Sequence, residues 1–121
     1  MKFCWCTIRV NNLEESIKFY QEIVGLSLSR RFAGGQDVEI AFLNDGGTEV
    51  ELLYDSEAKL PASVEGISLG FKVDSVDQQI AFIKEKGLSV ESGPFEPNPN
   101  IKFFYIKDPN GVSIQFVENK T

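Results

Sequence analysis

Apolar and polar residues alternate along residues 3–10, FCWCTIRV, and again along 67–73, ISLGFKV. A two-residue period is that of a strand with one buried face. Behind each strand the period lengthens. Leu13, Ile17, Tyr20 and Val24 recur at helical spacing, and Val76, Ile80 and Ile83 do the same. Asn11 or Asn12 can cap the first predicted helix, and Ser75 with Gln78 forms a capping-box pattern for the second. Gly25 and Gly87 stand where a left-handed residue ends a helix. Three more strands follow each helix. The first set is GLSLSRRF, VEIAFLN and TEVELLY; the second is GLSVESGPF, IKFFYIK and VSIQFVE. Asn44-Asp45-Gly46-Gly47 and Asp108-Pro109-Asn110-Gly111 have the residues of hairpin turns.

The two halves are copies of one pattern. IRVNNLEESIKFYQE from Ile8 lies over FKVDSVDQQIAFIKE from Phe71, and NDGGTEVEL from Asn44 lies over DPNGVSIQF from Asp108. The repeat length is about 63 residues, which gives two modules and no extended solenoid. The expected fold is α+β: two pseudo-symmetric βαβββ modules forming a curved mixed sheet around a cleft. Residues 1–121 form a single domain in this reading, with module one at 1–56, module two at 65–118 and a polar connector at 57–64. Concavities between modules are common ligand sites. The segment ESGPFEPNPN, residues 91–100, reads either as a cover for one mouth of that cleft or as a rigid connector.

Composition narrows the partners. The chain has 121 residues and a formal net charge of −6, which argues against nucleic acid and anionic membrane surfaces. No apolar run approaches the roughly 20 residues of a membrane span. No basic region followed by an apolar one opens the chain, so no signal peptide is expected and the cytoplasm is the expected location. Histidine is absent, and Cys4 and Cys6 are the only cysteines. They are too few for a four-ligand zinc site, and C-x-C on a strand is not the C-x-x-C of redox proteins. The alternation sends both to the buried face with Ile8 and Val10, as small apolar residues. It sends Trp5, Thr7 and Arg9 to the opposite, cleft-facing side.

TIRVNNLEESIKFYQEIVGL, VELLYD and KDPNGVSIQFVE together resemble the vicinal oxygen chelate superfamily, which includes glyoxalase I (lactoylglutathione lyase), fosfomycin-resistance enzymes, extradiol dioxygenases and bleomycin-binding proteins. The resemblance covers essentially the whole chain. It implies that metal ligands, where present, come from the first and last strands of each module. By position these are Trp5, Glu51, Ser68 and Gln115, where glyoxalase I holds His or Gln, Glu, His and Glu. The internal repeat gives the same pairs, Trp5 over Ser68 and Glu51 over Gln115. Trp5 offers only an N–H donor, and Ser68 is a poor ligand for transition metals. No cofactor is therefore expected, beyond a divalent ion held weakly by Glu51 and Gln115.

The same resemblance puts Arg9 where glyoxalase I holds a glutathione carboxylate. Arg9 and the equivalent Lys72 are candidates to hold an anion, or else strand-end charges in solvent. Thr7, Ser68 and Gln115 complete the candidate binding set, with Trp5, Phe103 and Tyr105 as a stacking wall unless they are core. Glu51 is the one candidate catalytic group, a general base if burial raises its pKa. Otherwise it is a carboxylate bonded to Gln115 or Ser68. Three functions fit: a metal-free small-molecule-binding protein of the sequestering or resistance type, a glyoxalase-type lyase or isomerase with an atypical metal site, and a protein whose sheet serves association. The broken ligand set favours the first. The expected partners are an anionic small molecule and a second copy of the chain in a homodimer.

Overall fold

Alternation in the first strand decides which side chains reach solvent. In the computed structural model, which describes residues 1–120, strand β1 spans Trp5–Val10. Ile8 and Val10 are buried, while Trp5, Thr7 and Arg9 are exposed. Helix α1, Leu13–Phe19, begins at Asn12, whose side chain accepts a hydrogen bond from the Glu15 backbone N–H at 3.0 Å. The helix continues as a π-helical turn over Tyr20–Val24 and stops at Gly25, which has φ of 87°. Strands β2, Ser27–Gly35, β3, Val38–Asn44, and β4, Glu49–Asp55, complete the first unit. The second unit repeats the order with β5, Ser68–Lys72, α2, Val76–Glu85, β6, Ser92–Asn98, β7, Ile101–Lys107, and β8, Ser113–Asn119.

The units divide between Ala62 and Ser63. Each has its own mixed four-stranded sheet, in the order β1-β4-β3-β2 and β5-β8-β7-β6. The first strand pairs in parallel with the last one, and the other neighbours are antiparallel. A parallel pair needs a long crossover, and the helix supplies part of it. Helix α1 lies on β3 and β4, where Ala41, Leu43 and Leu52 are fully buried. Helix α2 lies on β7 and β8, over Phe104, Ile106, Ile114 and Phe116. The Ser75 hydroxyl accepts from the Gln78 N–H at 3.2 Å, so the predicted cap is present. The Glu118 carboxylate adds a bond from the Val76 N–H at 2.8 Å, an anion at the positive end of the helix.

Three expectations change. Cys4 precedes β1 and is exposed, and Cys6 is only half-buried, since burial along this strand begins at Ile8. Most of the proline-rich segment at 91–100, read as a cleft cover or a rigid connector, is the edge strand β6. It pairs with β7 at Ser92, Phe95 and Asn98, with register shifts between them, and Pro94 and Pro97 fall within those shifts. Proline lacks the ladder N–H, so an irregular edge is where it fits. Gly93, at φ of 99°, brings its Cα so near Phe104 that a Cβ would lie 3.1 Å from that backbone. Finally, the helical spacing that ran to Val24 ends in π geometry after Phe19. Among the described residues, no helix is long and apolar enough to cross a membrane.

These contacts set a ranking. Leu52, fully buried, should lose about 2–5 kcal/mol of stability on replacement by alanine. Ser75→Ala removes one cap and should cost about 1 kcal/mol. Urea unfolding of the parent and both variants checks the order.

Candidate functional site

The face of each sheet turned away from its helix carries the sequence-predicted residues. In the first sheet, Trp5 stands opposite Glu49, Thr7 opposite Glu51 and Arg9 opposite Leu53. Phe42 pairs with Glu51 on the other side, and Arg30 pairs with Phe42. Four strands thus bring Trp5, Thr7, Arg9, Arg30, Phe32, Phe42, Glu49 and Glu51 to one surface.

Its chemistry is graded. Phe42 is the floor, 3% exposed. The Trp5 ring meets it at 5.2 Å and 72°, Phe32 stacks on it at 6.1 Å and 18°, and the Arg30 guanidinium lies 3.9 Å from its centroid. Arg30 also donates to Glu49 at 3.1 Å. Glu49 accepts further bonds from the Ser29 hydroxyl at 3.0 Å and the Asn44 amide at 3.1 Å. Partial burial works against its charge, but the Ser29 and Asn44 bonds and Arg30 outweigh it and hold its carboxyl below the ordinary pKa.

Glu51 is nearly buried, and its Oε1 accepts a short hydrogen bond from the Thr7 hydroxyl. Register puts Thr7 directly beside Glu51 in the same sheet. Arg9 is exposed and has no ion pair or hydrogen bond among the described residues, whereas the other arginines, Arg30 and Arg31, are both paired.

The second sheet places Ser68, Lys72, Ser113, Gln115, Phe103 and Tyr105 on its corresponding face. Phe95, Phe103 and Tyr105 form one ring cluster there, with Phe103 and Tyr105 at 5.8 Å and 85°. Of the predicted stacking residues, Trp5 belongs to the first sheet and Phe103 and Tyr105 to the second. Gln115 occupies the space left by Gly70, whose Cβ would lie 3.2 Å from its Oε1. Ser68 and Lys72 are exposed, and Lys72 has no partner among the described residues.

These residues do not fit a metal. Trp5 has no lone pair to give. Glu51 shares one oxygen with Thr7, and Glu49 is taken by Ser29, Asn44 and Arg30. Among the described residues, no three cysteine, aspartate or glutamate side chains come together. Burial raises the Cys6 pKa, so its thiolate is disfavoured as a ligand. A surface groove of about 640 Å³, with Phe32 in its lining, lies at the β2–β3 end near Tyr54. There Arg31 is held by Glu14 and Glu39, both at 2.5 Å.

Sequence reasoning passed over Arg30, Phe32, Phe42 and Glu49. The signal was the strand period: Glu49 is two residues from Glu51, and Phe32 is two from Arg30.

Residues 2–116 match the family model described as Glyoxalase/Bleomycin resistance protein/Dioxygenase superfamily. The chain is 29% identical over 131 residues to a lactoylglutathione lyase of Haemophilus influenzae, covering 100% of this chain and 95% of that protein. It is 32% identical over 123 residues to a probable lactoylglutathione lyase of Vibrio parahaemolyticus, covering 93% and 87%. The structure superposes on glyoxalase I from Zea mays with a TM-score of 0.86 at 23% identity, covering 99% of this chain and 45% of the maize chain. At that identity the maize likeness concerns the fold.

Glu49 carries a pH test. Its folded pKa lies below the ordinary value of 4.5. Its contribution to stability is therefore present above that value and lost as pH falls through the folded pKa. The melting temperature of Glu49→Gln should fall below the parent's at pH 7, and the difference should shrink below pH 4.5. A gap constant with pH would contradict this account.

Proposed function

We propose, for a chain that belongs to the Glyoxalase/Bleomycin resistance protein/Dioxygenase superfamily, that it binds a small molecule with an anionic group and an apolar body, without a metal. The observation supporting this reading is that Glu51 is engaged by Thr7, beside Trp5 at a position that the resemblance gives to a metal ligand. Superfamily chemistry that depends on chelation needs a cation at that point to bind neighbouring oxygens and stabilise negative charge. In its place stand an indole and an unpaired guanidinium. Trp5 and Phe32 offer apolar area, Thr7 a hydroxyl, and Arg9 a planar fork suited to a carboxylate. Ser68, Lys72 and Gln115 are proposed as the second unit's contribution to binding, and the two units as one functional domain.

A second reading has its own support. The Haemophilus and Vibrio relatives are named as lyase and probable lyase. If this chain shares that activity, Glu51 is its general base, and the lyase works with an atypical metal site or none. Assembly as a homodimer belongs to the same proposal. The outer strands β1, β2, β5 and β6 leave backbone groups in need of cover.

One titration separates the two functional readings. Protein purified without chelators should bind nickel and zinc more weakly than micromolar and show no metal-dependent lactoylglutathione lyase activity. Arg9→Ala should weaken binding of carboxylate ligands by about ten- to a hundredfold, the worth of a charge-assisted hydrogen bond. Stoichiometric tight nickel, with activity that dies on chelation and returns with metal, would establish the lyase instead. For assembly, sedimentation at tens of micromolar should give a dimer, and monomer alone would refute it.

A further inference from the structure

The open face of the second sheet holds a cation that the acids of this chain leave alone. Lys107, at the end of β7, is half-buried. Its ammonium donates to the Ser113 hydroxyl at 3.0 Å and has no carboxylate partner among the described residues. The chain has 18 acidic residues, but β5, β7 and β8 contain only Glu118. Glu118 lies on the helix side, where it accepts from the Val76 N–H. An ammonium drawn partly out of water beside a neutral hydroxyl alone is a costly arrangement, and an anion relieves it.

Register surrounds that cation with donors. Lys107 stands opposite Ser113, and Ser113 opposite Ser68, so one row crosses three strands on one face. Neighbouring strands are roughly 4.8 Å apart. The Ser113 oxygen accepts from Lys107, which leaves its own proton for a further acceptor. Ser68 is exposed and has no hydrogen bond among the described residues. The row thus offers an ammonium and two hydroxyls. A carboxylate presents two oxygens, one fewer than the row has donor groups, and a phosphoryl group presents three. The next row runs Tyr105, Gln115, Gly70. Gln115 turns toward Gly70, where a Cβ would lie 3.2 Å from its Oε1, and so keeps off the Tyr105 side. Tyr105 is held edge-on by Phe103 at 5.8 Å. Rows two residues apart are roughly 6.8 Å apart along a strand, so a ring carried on the anion comes over Tyr105.

Resting on the metal-free binding reading, which already includes Ser68, we propose that Lys107, Ser113 and Ser68 form a phosphoryl-binding site for a phosphate monoester with a flat apolar group. The phosphoryl oxygens take the ammonium and the two hydroxyls, and the apolar group lies on Tyr105. The site is contained in the second unit and uses neither Arg9 nor a metal.

Calorimetry with phenyl phosphate, inorganic phosphate and benzoate tests it, with Lys107-dependent binding as the readout. Phenyl phosphate should bind, and its affinity should fall about ten- to a hundredfold in Lys107→Met and about tenfold in Ser113→Ala. Lys84→Met removes the same charge from α2 and should leave the affinity unchanged. Inorganic phosphate should bind more weakly for want of the ring. Lys107-dependent binding of benzoate should be at least about tenfold weaker, the worth of one charge-assisted hydrogen bond. Melting curves confirm folding, and Ser113→Ala carries the test should Lys107→Met not fold. Phenyl phosphate binding that is absent, indifferent to Lys107→Met or equally reduced by Lys84→Met would overturn the site. Lys107-dependent benzoate binding as tight as that of phenyl phosphate would overturn the phosphoryl class. Arg9-dependent binding of carboxylates is a separate readout in the same protein: beside a failed phosphoryl site, its presence keeps the metal-free binding reading and its absence removes both.

Discussion

The parallel pairing of β1 with β4 is the constraint on which the rest of the first unit depends. It puts the first strand of the unit beside the last, with α1 packed on β3 and β4. The in-register contact of Thr7 with Glu51 follows, and so do Trp5 beside Glu49 and Arg9 beside Leu53. A slip of one residue would turn Ile8 and Val10 to solvent and press Thr7 and Arg9 against the helix. The buried faces therefore hold the register, and the register composes the site. The second unit keeps the same geometry with different chemistry, Ser68 beside Ser113 and Gly70 beside Gln115. One architecture thus carries an ionic and aromatic face in the first sheet, and a neutral, hydroxyl- and ring-lined face with lysines at its margin in the second.

The electrostatics of the first face are arranged so that its cations differ in availability. Arg30 and Arg31 are each tied to glutamates. Arg9 is not, in a chain whose net charge is −6. An acidic protein has carboxylates to spare, so an unpaired arginine on a sheet face reflects where the acids stand. Glu49 is held by three neighbours at one end and Glu51 by Thr7 in the middle, and the residue opposite Arg9 is Leu53. The positive charge at that end is left to a ligand or to water.

The fold was legible because two independent periods agreed. Strand alternation and helical spacing each recur in both halves, and the caps at Asn12 and Ser75 fall where the patterns change. What escaped was set by tertiary contact. Cys4 looked like the start of a buried strand, but the strand begins at Trp5 and its burial only at Ile8. The prolines of β6 suggested a loop because their cost in a ladder depends on whether the strand lies at an edge. The π-helical turn at Tyr20–Val24 leaves no mark in an apolar spacing that either helix type satisfies.

The strand faces that carry the candidate residues were legible, and their neighbours on those faces less so. Family resemblance led to Trp5, Glu51, Ser68 and Gln115, because those places are defined by register. It could not lead to Arg30 or Glu49, which matter through each other and through Phe42. A single arginine on a strand gives no hint whether it will be a free cation or half of a neutral stack. That difference decides the character of the face. Were Arg30 free, two guanidinium groups would flank Glu51 and the surface would favour a ligand of higher negative charge. With Arg30 neutralised over Phe42 by Glu49, Arg9 is the guanidinium of this face that has no partner among the described residues.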